Sequence, residues 1–304
     1  MQTVILEHIS KTYGKEISPA VNDVSFAVNK GELFGLIGPD GAGKTSLFRI
    51  LTTLILPDTG KASVDGFDIV RDYKKIRNTV GYMPGRFSLY QDLSVEENLN
   101  FFATLFNTTV AKNYDLIKDI YVQIEPFKKR RAGKLSGGMK QKLALSCALI
   151  HQPTVLFLDE PTTGVDPVSR KEFWEMLDRL KASGITILVS TPYMDEAARC
   201  DRIALMHHGK ILSIETPANM IAAFPDPIYA IKASNMPSLL QQLNAYEGVK
   251  SSYAFGEYAH VLLNESTGGE NNLKLYLSGK GFTDIEMTLT QPTIEDWFIK
   301  LLNS

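Results

Sequence analysis

The sequence predicts an α/β fold, with a mixed and mostly parallel sheet covered by helices, followed by a small C-terminal α+β unit of ferredoxin-like order. Three observations carry this expectation. The apolar run Glu32 to Ile37 ends in a glycine-rich turn and gives way to helical periodicity. Two more apolar runs, Thr154 to Leu158 and Ile185 to Val189, flank an amphipathic stretch from Pro167 to Lys181. Strands that alternate with helices imply a sheet with both faces covered. From about Thr216 the order becomes strand, helix, two strands, helix, strand. The expected domains are therefore 1–217, with a helical section at about 89–149, and a smaller one at 218–304.

The individual elements follow from local pattern. Thr3 to Ile9 and Ala20 to Asn29 are β-rich. After Lys44, the residues Leu47, Ile50, Leu51 and Leu54 fall on one helical face, and Pro57, Asp58 and Gly60 end that helix. Ser94, with Glu97 three residues later, predicts a capping box that opens a helix through Phe106. In the C-terminal part, strands are expected at Ile228–Ala233, Val249–Ala254, His260–Leu263 and Asp284–Thr288. Helices are expected at Pro237–Tyr246, Asn272–Lys280 and Thr293–Leu302, with Gly268–Asn272 as an exposed turn.

Composition narrows the function classes. The chain has 304 residues, 44% hydrophobic and 22% charged, which is ordinary for a globular protein. Its 34 acidic and 32 basic residues leave no basic surplus, so no nucleic-acid partner is expected. Cys147 and Cys200 have no paired spacing and read as small buried apolar residues. No signal peptide is expected from Met1-Gln2-Thr3-Val4. No apolar run approaches the ~18 residues that suggest a membrane helix.

The run Gly38-Pro39-Asp40-Gly41-Ala42-Gly43-Lys44-Thr45 fits G-x-x-x-x-G-K-[ST], with a strand before it and a helix after it. Glycines let the backbone curl so that several N–H groups point at phosphate oxygens. The helix that follows adds the positive end of its dipole. Lys44 suits the β and γ phosphates, and the Thr45 hydroxyl suits Mg²⁺. Alone, this loop indicates only a nucleotide phosphate.

Further motifs follow in order. Leu135-Ser136-Gly137-Gly138-Met139-Lys140-Gln141 places serine and glycines where a helix begins. The apolar run Val155-Leu156-Phe157-Leu158 delivers Asp159 and Glu160 to a strand end, and Pro161 to Asp166 follow. Near the N-terminus, Lys11-Thr12-Tyr13-Gly14 presents an aromatic residue. Together these runs resemble the ATP-binding cassettes, the P-loop NTPase subunits that power membrane transporters, over about Met1 to Pro217. Gly81-Tyr82-Met83-Pro84, the run from Leu89 to Asn98 and the closing run Gln291 to Phe298 are similar to the multidrug and polysaccharide exporter branch.

The resemblance implies ATP and Mg²⁺ as cofactors, and ATP hydrolysis coupled to transport. Glu160 would be the general base, with Lys44 and Asp159 also catalytic. Nucleotide contacts would come from Tyr13, Gly38, Pro39, Asp40, Gly41, Ala42, Gly43, Lys44, Thr45 and Ser46. Ser136, Gly137 and Gly138 would grip the γ phosphate held by an opposite cassette, and Asp166 would sit at that interface. Thr45 and Asp159 would hold the metal. The implied partners are a polytopic membrane subunit and a second cassette, identical or different. The implied location is peripheral, on the cytoplasmic face of a membrane.

Two positions depart from the family pattern. Gly85 stands after Met83-Pro84, where glutamine is usual, and Pro192 stands where the switch histidine is usual. Either other groups compensate, or this chain's own site hydrolyses slowly. In the second case it would be a weakly hydrolysing or non-hydrolysing partner in an asymmetric pair. Soluble cassettes of translation or DNA maintenance usually carry two cassettes or a long coiled coil, and neither fits in 304 residues.

Overall fold

The computed structural model describes residues 1–14, 18–264 and 269–303. The chain divides into two units, Met1–Pro217 and Ala218–Ser304. The first opens with β1 (Gln2–Lys11), β2 (Val21–Asn29) and β3 (Leu33–Ile37), then α1 (Lys44–Leu51). There follow β4 (Thr59–Val64), β5 (Phe67–Asp68), α2 (Tyr73–Thr79) and β6 (Val80–Met83). Next come α3 (Val95–Leu105), α4 (Tyr114–Tyr121), α5 (Gly137–Leu149), β7 (Val155–Asp159) and α6 (Pro167–Ala182). Then come β8 (Thr186–Thr191), β9 (Arg202–His207) and β10 (Lys210–Glu215), and α7 (Pro217–Ala222) runs past the boundary.

A six-stranded sheet runs β10-β9-β3-β8-β7-β6 and is parallel except at β9–β10. Every residue of β3, β7 and β8 is buried, as strands covered on both faces require. The antiparallel exception has a local cause. His208 (φ 45°) and Gly209 (φ 77°) both adopt left-handed backbone, the conformation a tight two-residue hairpin needs.

The N-terminal strands depart from the mostly parallel expectation. They form a separate antiparallel sheet in the order β2-β1-β4-β5. The connection from Thr12 to Ala20 is shorter than the dozen or so residues a parallel crossover needs, so β2 turns back beside β1. Helix α1 joins the two sheets in one core. Phe48 on α1 meets Phe157 on β7 edge to face at 5.7 Å, and Val4, Leu6 and Val24 of the antiparallel sheet belong to the same cluster.

The expected capping box is present at α3. The Ser94 hydroxyl accepts from Glu97 N at 3.2 Å, and the Glu97 carboxylate accepts from Ser94 N at 2.7 Å. Cys147 and Cys200 are both buried, and burial pushes both thiols up. No helix among the described residues is long and apolar enough to cross a membrane.

The second unit contains β11 (Ile228–Lys232), α8 (Met236–Ala245), β12 (Val249–Phe255), β13 (Tyr258–Leu263), α9 (Gly269–Gly279), β14 (Glu286–Thr290) and α10 (Ile294–Leu302). Its sheet is antiparallel in the order β12-β13-β11-β14, the ferredoxin-like arrangement. Ile231, Leu239, Leu243, Val261, Leu273 and Leu277 form its core. The expected turn at Gly268–Asn272 is corrected. Gly268 lies outside the described residues, and Gly269–Asn272 open α9, because Leu273 and Leu277 one turn apart are both drawn into the core.

Asp296 clamps α10 to this sheet. It is 1% exposed and caps Thr293, while Tyr253 Oη and His260 Nδ1 each lie 2.6 Å from its Oδ1. Burial alone would raise its carboxyl. The bonds from His260, Tyr253 and Thr293 outweigh that and hold it below the ordinary 3.8. A lowered carboxyl contributes stability that is present above 3.8 and is lost as pH falls through the folded value. Asp296→Ala is expected to cost this unit about 2–4 kcal/mol, because buried donors lose their acceptor. Hydrogen exchange at β13 and α10 measures it; unchanged protection there would contradict the clamp.

Candidate functional site

The phosphate loop runs from the end of β3 to the start of α1. Its first residue, Gly38, lies so close to β9 that an added Cβ would stand 2.1 Å from the Met206 carbonyl oxygen. At the other end Gly43 has φ 107°, and a Cβ there would stand 2.1 Å from Ala20 O. Only glycine fits both places. Gly43 is also the N-cap of α1 and provides no side-chain cap. Among the described residues no side chain accepts from the first N–H groups of the helix, which suits an anion.

Charged and hydroxyl groups converge beside the loop. The Lys44 ammonium donates to Gly38 O at 2.8 Å and Pro39 O at 3.0 Å. It also pairs with Glu160 Oε1 at 3.1 Å, its own side chain being 2% exposed. Thr45 Oγ1 donates to Asp159 Oδ1 at 3.2 Å, and Ser190 Oγ donates to the same oxygen at 2.7 Å. Glu160 has φ 51°, a left-handed conformation that costs a residue with a side chain about 1–3 kcal/mol. Its N–H is held by Ser190, through the carbonyl oxygen at 3.0 Å and Oγ at 3.1 Å. This bend turns the chain out of β7 so that Asp159 and Glu160 both reach the loop.

Thr45, Asp159 and Glu160 line a cavity of about 460 Å³ with Tyr82, Gly85 and Arg86. Arg49 and Pro84 complete its wall. Burial, and next the Asp159 charge, push the Tyr82 phenol up to about 12, so it stays neutral. The donor set of one hydroxyl and one buried carboxylate is hard oxygen, which fits Mg²⁺ completed by phosphate and water.

Tyr13 lies beside the loop's helix, its hydroxyl 3.2 Å from Ser46 Oγ. Asp40 and Gly41 are exposed at the loop's crest, and Ala42 O accepts from Gly209 N at 2.9 Å. Ser136, Gly137 and Gly138 are placed elsewhere. Ser136 caps α5, its hydroxyl accepting from Met139 N at 3.4 Å. Among the described residues, no hydrogen bond or ion pair joins these three to Lys44, Thr45, Asp159 or Glu160. Gly138 packs against α6, where an added Cβ would stand 2.7 Å from Ser169 Oγ. Asp166 caps α6, accepting from Ser169 N at 3.0 Å.

Several residues of the site were not singled out from sequence. Ser190 ties β8 to Asp159 and Glu160. Glu196, 3% exposed, accepts from Thr162 Oγ1 at 2.7 Å and Thr191 Oγ1 at 2.5 Å. It thereby fixes the segment after Glu160 to the segment that leads into Pro192. Arg49 and Arg86 line the cavity. None belongs to a short motif; parallel pairing of β7 with β8 sets Ser190 opposite Asp159, while Arg49 comes from α1 and Arg86 from the segment after β6.

Comparison with known proteins agrees with this geometry. The family described as "ABC transporter" matches residues 21–163. The Nod factor export ATP-binding protein I of Rhizobium sp. (strain N33) is 34% identical over 300 residues, covering 97% of this chain and 95% of that protein. The probable multidrug ABC transporter ATP-binding protein YbhF of Escherichia coli (strain K12) is 37% identical over 303 residues. That match covers 98% of this chain but 52% of YbhF, so the chain spans about half the length of that relative. Among solved structures, an ATP-binding subunit of an ABC transporter superposes with TM-score 0.66 at 27% identity, over 73% of this chain and 93% of that one. The cassette MJ0796, in a dimer bound to ADP and Pi, shares the fold at TM-score 0.64 and 24% identity, over 70% of this chain and 98% of that one. With the strand–loop–helix at Gly38–Thr45 and the paired acids closing β7, this chain belongs to the family of ABC transporter ATP-binding proteins.

Proposed function

We propose that this chain binds and hydrolyses MgATP at Gly38–Thr45 and drives a separate membrane subunit of an exporter. The observation that carries this is the convergence of Lys44 and Glu160 at 3.1 Å beside Thr45 and Asp159 at 3.2 Å. In this proposal the loop N–H groups and Lys44 bind the β and γ phosphates, and Ser46 and Tyr13 flank the nucleotide. Thr45 and Asp159 hold Mg²⁺, which supplies charge neutralisation on the phosphates. Arriving phosphate competes with Glu160 for the Lys44 ammonium. That competition frees the carboxylate to accept a proton from the attacking water.

Ser136–Gly138, remote from these groups in bonding, would complete the site of a second cassette. The start of α5, which carries Ser136 as its N-cap, suits a γ phosphate on that partner. A groove of about 340 Å³ shares Tyr82 and Pro84 with the phosphate-side cavity and is walled by Met83, Leu89, Phe102 and Phe106. A shift of the Met83–Gly85 segment would then be felt in the groove, which we assign to the membrane subunit. In this proposal 1–217 is the ATPase domain, with its helical section at about 89–149. The unit 218–304 is an accessory domain, and the complex sits on the cytoplasmic face of the membrane. The names of the Nod factor and multidrug relatives support export.

The test is phosphate release by the purified 304-residue chain with MgATP, beside equilibrium binding of a fluorescent ATP analogue. Saturable binding with Mg²⁺-dependent turnover is expected. Failure to bind the analogue would defeat the proposal.

A further inference from the structure

We propose that Arg86 supplies, within the same chain, a cationic contact to the transferring phosphoryl group. The inference rests on the ATPase function proposed above and names a residue for its chemical step.

Gly85 lies beside the end of β7. A Cβ added there would stand 3.1 Å from the Asp159 carbonyl oxygen, tighter than ordinary contact, and 3.8 Å from the Asp159 carboxyl carbon. It would need the Asp159 carbonyl to give by a few tenths of an ångström, and Gly85 itself offers the cavity no side chain, so a side chain serving the cavity from this segment has to come from a neighbour. Arg86 is that neighbour, and it lines the same cavity as Thr45, Asp159 and Glu160. The other arginine of the wall, Arg49, lies on α1. Arg86 is exposed and makes no hydrogen bond or ion pair among the described residues. Its guanidinium is therefore available to a ligand without breaking a contact.

The charge balance of the cavity calls for such a group. Asp159 and Glu160 are both acidic, and Lys44 is the one cation paired with either among the described residues. A triphosphate adds further negative charge, which the Mg²⁺ proposed at Thr45 and Asp159 offsets only in part. A guanidinium presents a planar fork of donors that matches two phosphate oxygens. In the step itself, the water oxygen bonds to the γ phosphorus as the bond from that phosphorus to the bridging oxygen breaks. The electron pair of that bond leaves with ADP, and the water proton passes to the Glu160 carboxylate. Arg86 donates to the phosphoryl oxygens while this charge moves, and is neither protonated nor deprotonated. Arginines acting this way contribute a factor of about 10³ to 10⁵ in other phosphoryl-transfer sites.

Because the contact strengthens only in the transition state, ground-state and transition-state binding should separate. The experiment measures the affinity of the 304-residue chain for a fluorescent MgATP analogue and for MgADP–aluminium fluoride. Native chain, Arg86→Ala and Arg86→Lys are compared. For Arg86→Ala, MgATP affinity is expected to stay within about threefold, while MgADP–aluminium fluoride affinity falls by about 100-fold or more. Arg86→Lys should recover part of that loss, since it restores charge without the fork. Native affinity of Arg86→Ala for both ligands would overturn the assignment. Equal losses for both ligands would also overturn it, because they would make Arg86 a general anion contact. A native chain that fails to bind MgATP would instead bring down the ATPase reading.

Discussion

Glu160→Gln is expected to lower ATP turnover by about 10² to 10⁴-fold while MgATP still binds, because it removes the one group placed to accept the water proton. The substitution conserves size, so the constraints on residue 160 persist. Its left-handed backbone at φ 51° and its N–H bonds to Ser190 do not depend on the carboxylate. What changes is the partnership with Lys44 at 3.1 Å, where a neutral amide replaces an ion pair. Lys44 should then be released to phosphate more readily, and ATP affinity should hold or rise. Single-turnover phosphate release and equilibrium binding read the two effects separately. Turnover within a few-fold of native would remove Glu160 from the role of base.

Gly43→Ala is expected to collapse nucleotide binding and to destabilise the first unit by about 2–4 kcal/mol. Two independent costs coincide there. The residue sits at φ 107°, where an L side chain is strained, and its Cβ would stand 2.1 Å from Ala20 O. Backbone is the obstacle, so no rotamer relieves the clash; either the loop or the entry to β2 must move. Gly41→Ala is the control. It has φ 77° but nothing within 4 Å of the added carbon, so only the conformational cost of about 1–2 kcal/mol applies. Urea unfolding with ATP-analogue binding checks both variants. Equal behaviour of the two would show that the contact with Ala20 does not shape the loop.

Much of this was legible in the sequence, because the relevant information is local. The loop at Gly38–Thr45, the acids closing β7, the Ser94–Glu97 box and the element order of the second unit all occupy short windows. The pairing of β1 with β2 was not legible from apolar pattern, since a buried strand reads the same in either sheet. Here the length of the Thr12–Ala20 connection decided. Gly269–Asn272 reads as a turn by composition, yet packing of Leu273 and Leu277 one turn apart recruits it into α9. Ser190 and Glu196 lie outside every motif and gain their roles only when β8 pairs beside β7. Gly85 was visible as a departure; that it lies against the Asp159 carbonyl, and that Arg86 beside it lines the same cavity, required the fold.

In the function proposed here, the phosphate loop of one chain and Ser136–Gly138 of another form a single ATP site. Sedimentation velocity of the Glu160→Gln chain, with and without MgATP, tests it most directly, because blocked turnover preserves the ATP-bound state. Monomer without nucleotide and dimer with MgATP are expected. Adding Ser136→Arg is expected to abolish the dimer while a fluorescent ATP analogue still binds. A chain that binds the analogue yet stays monomeric, or a dimer indifferent to Ser136→Arg, would contradict the shared site.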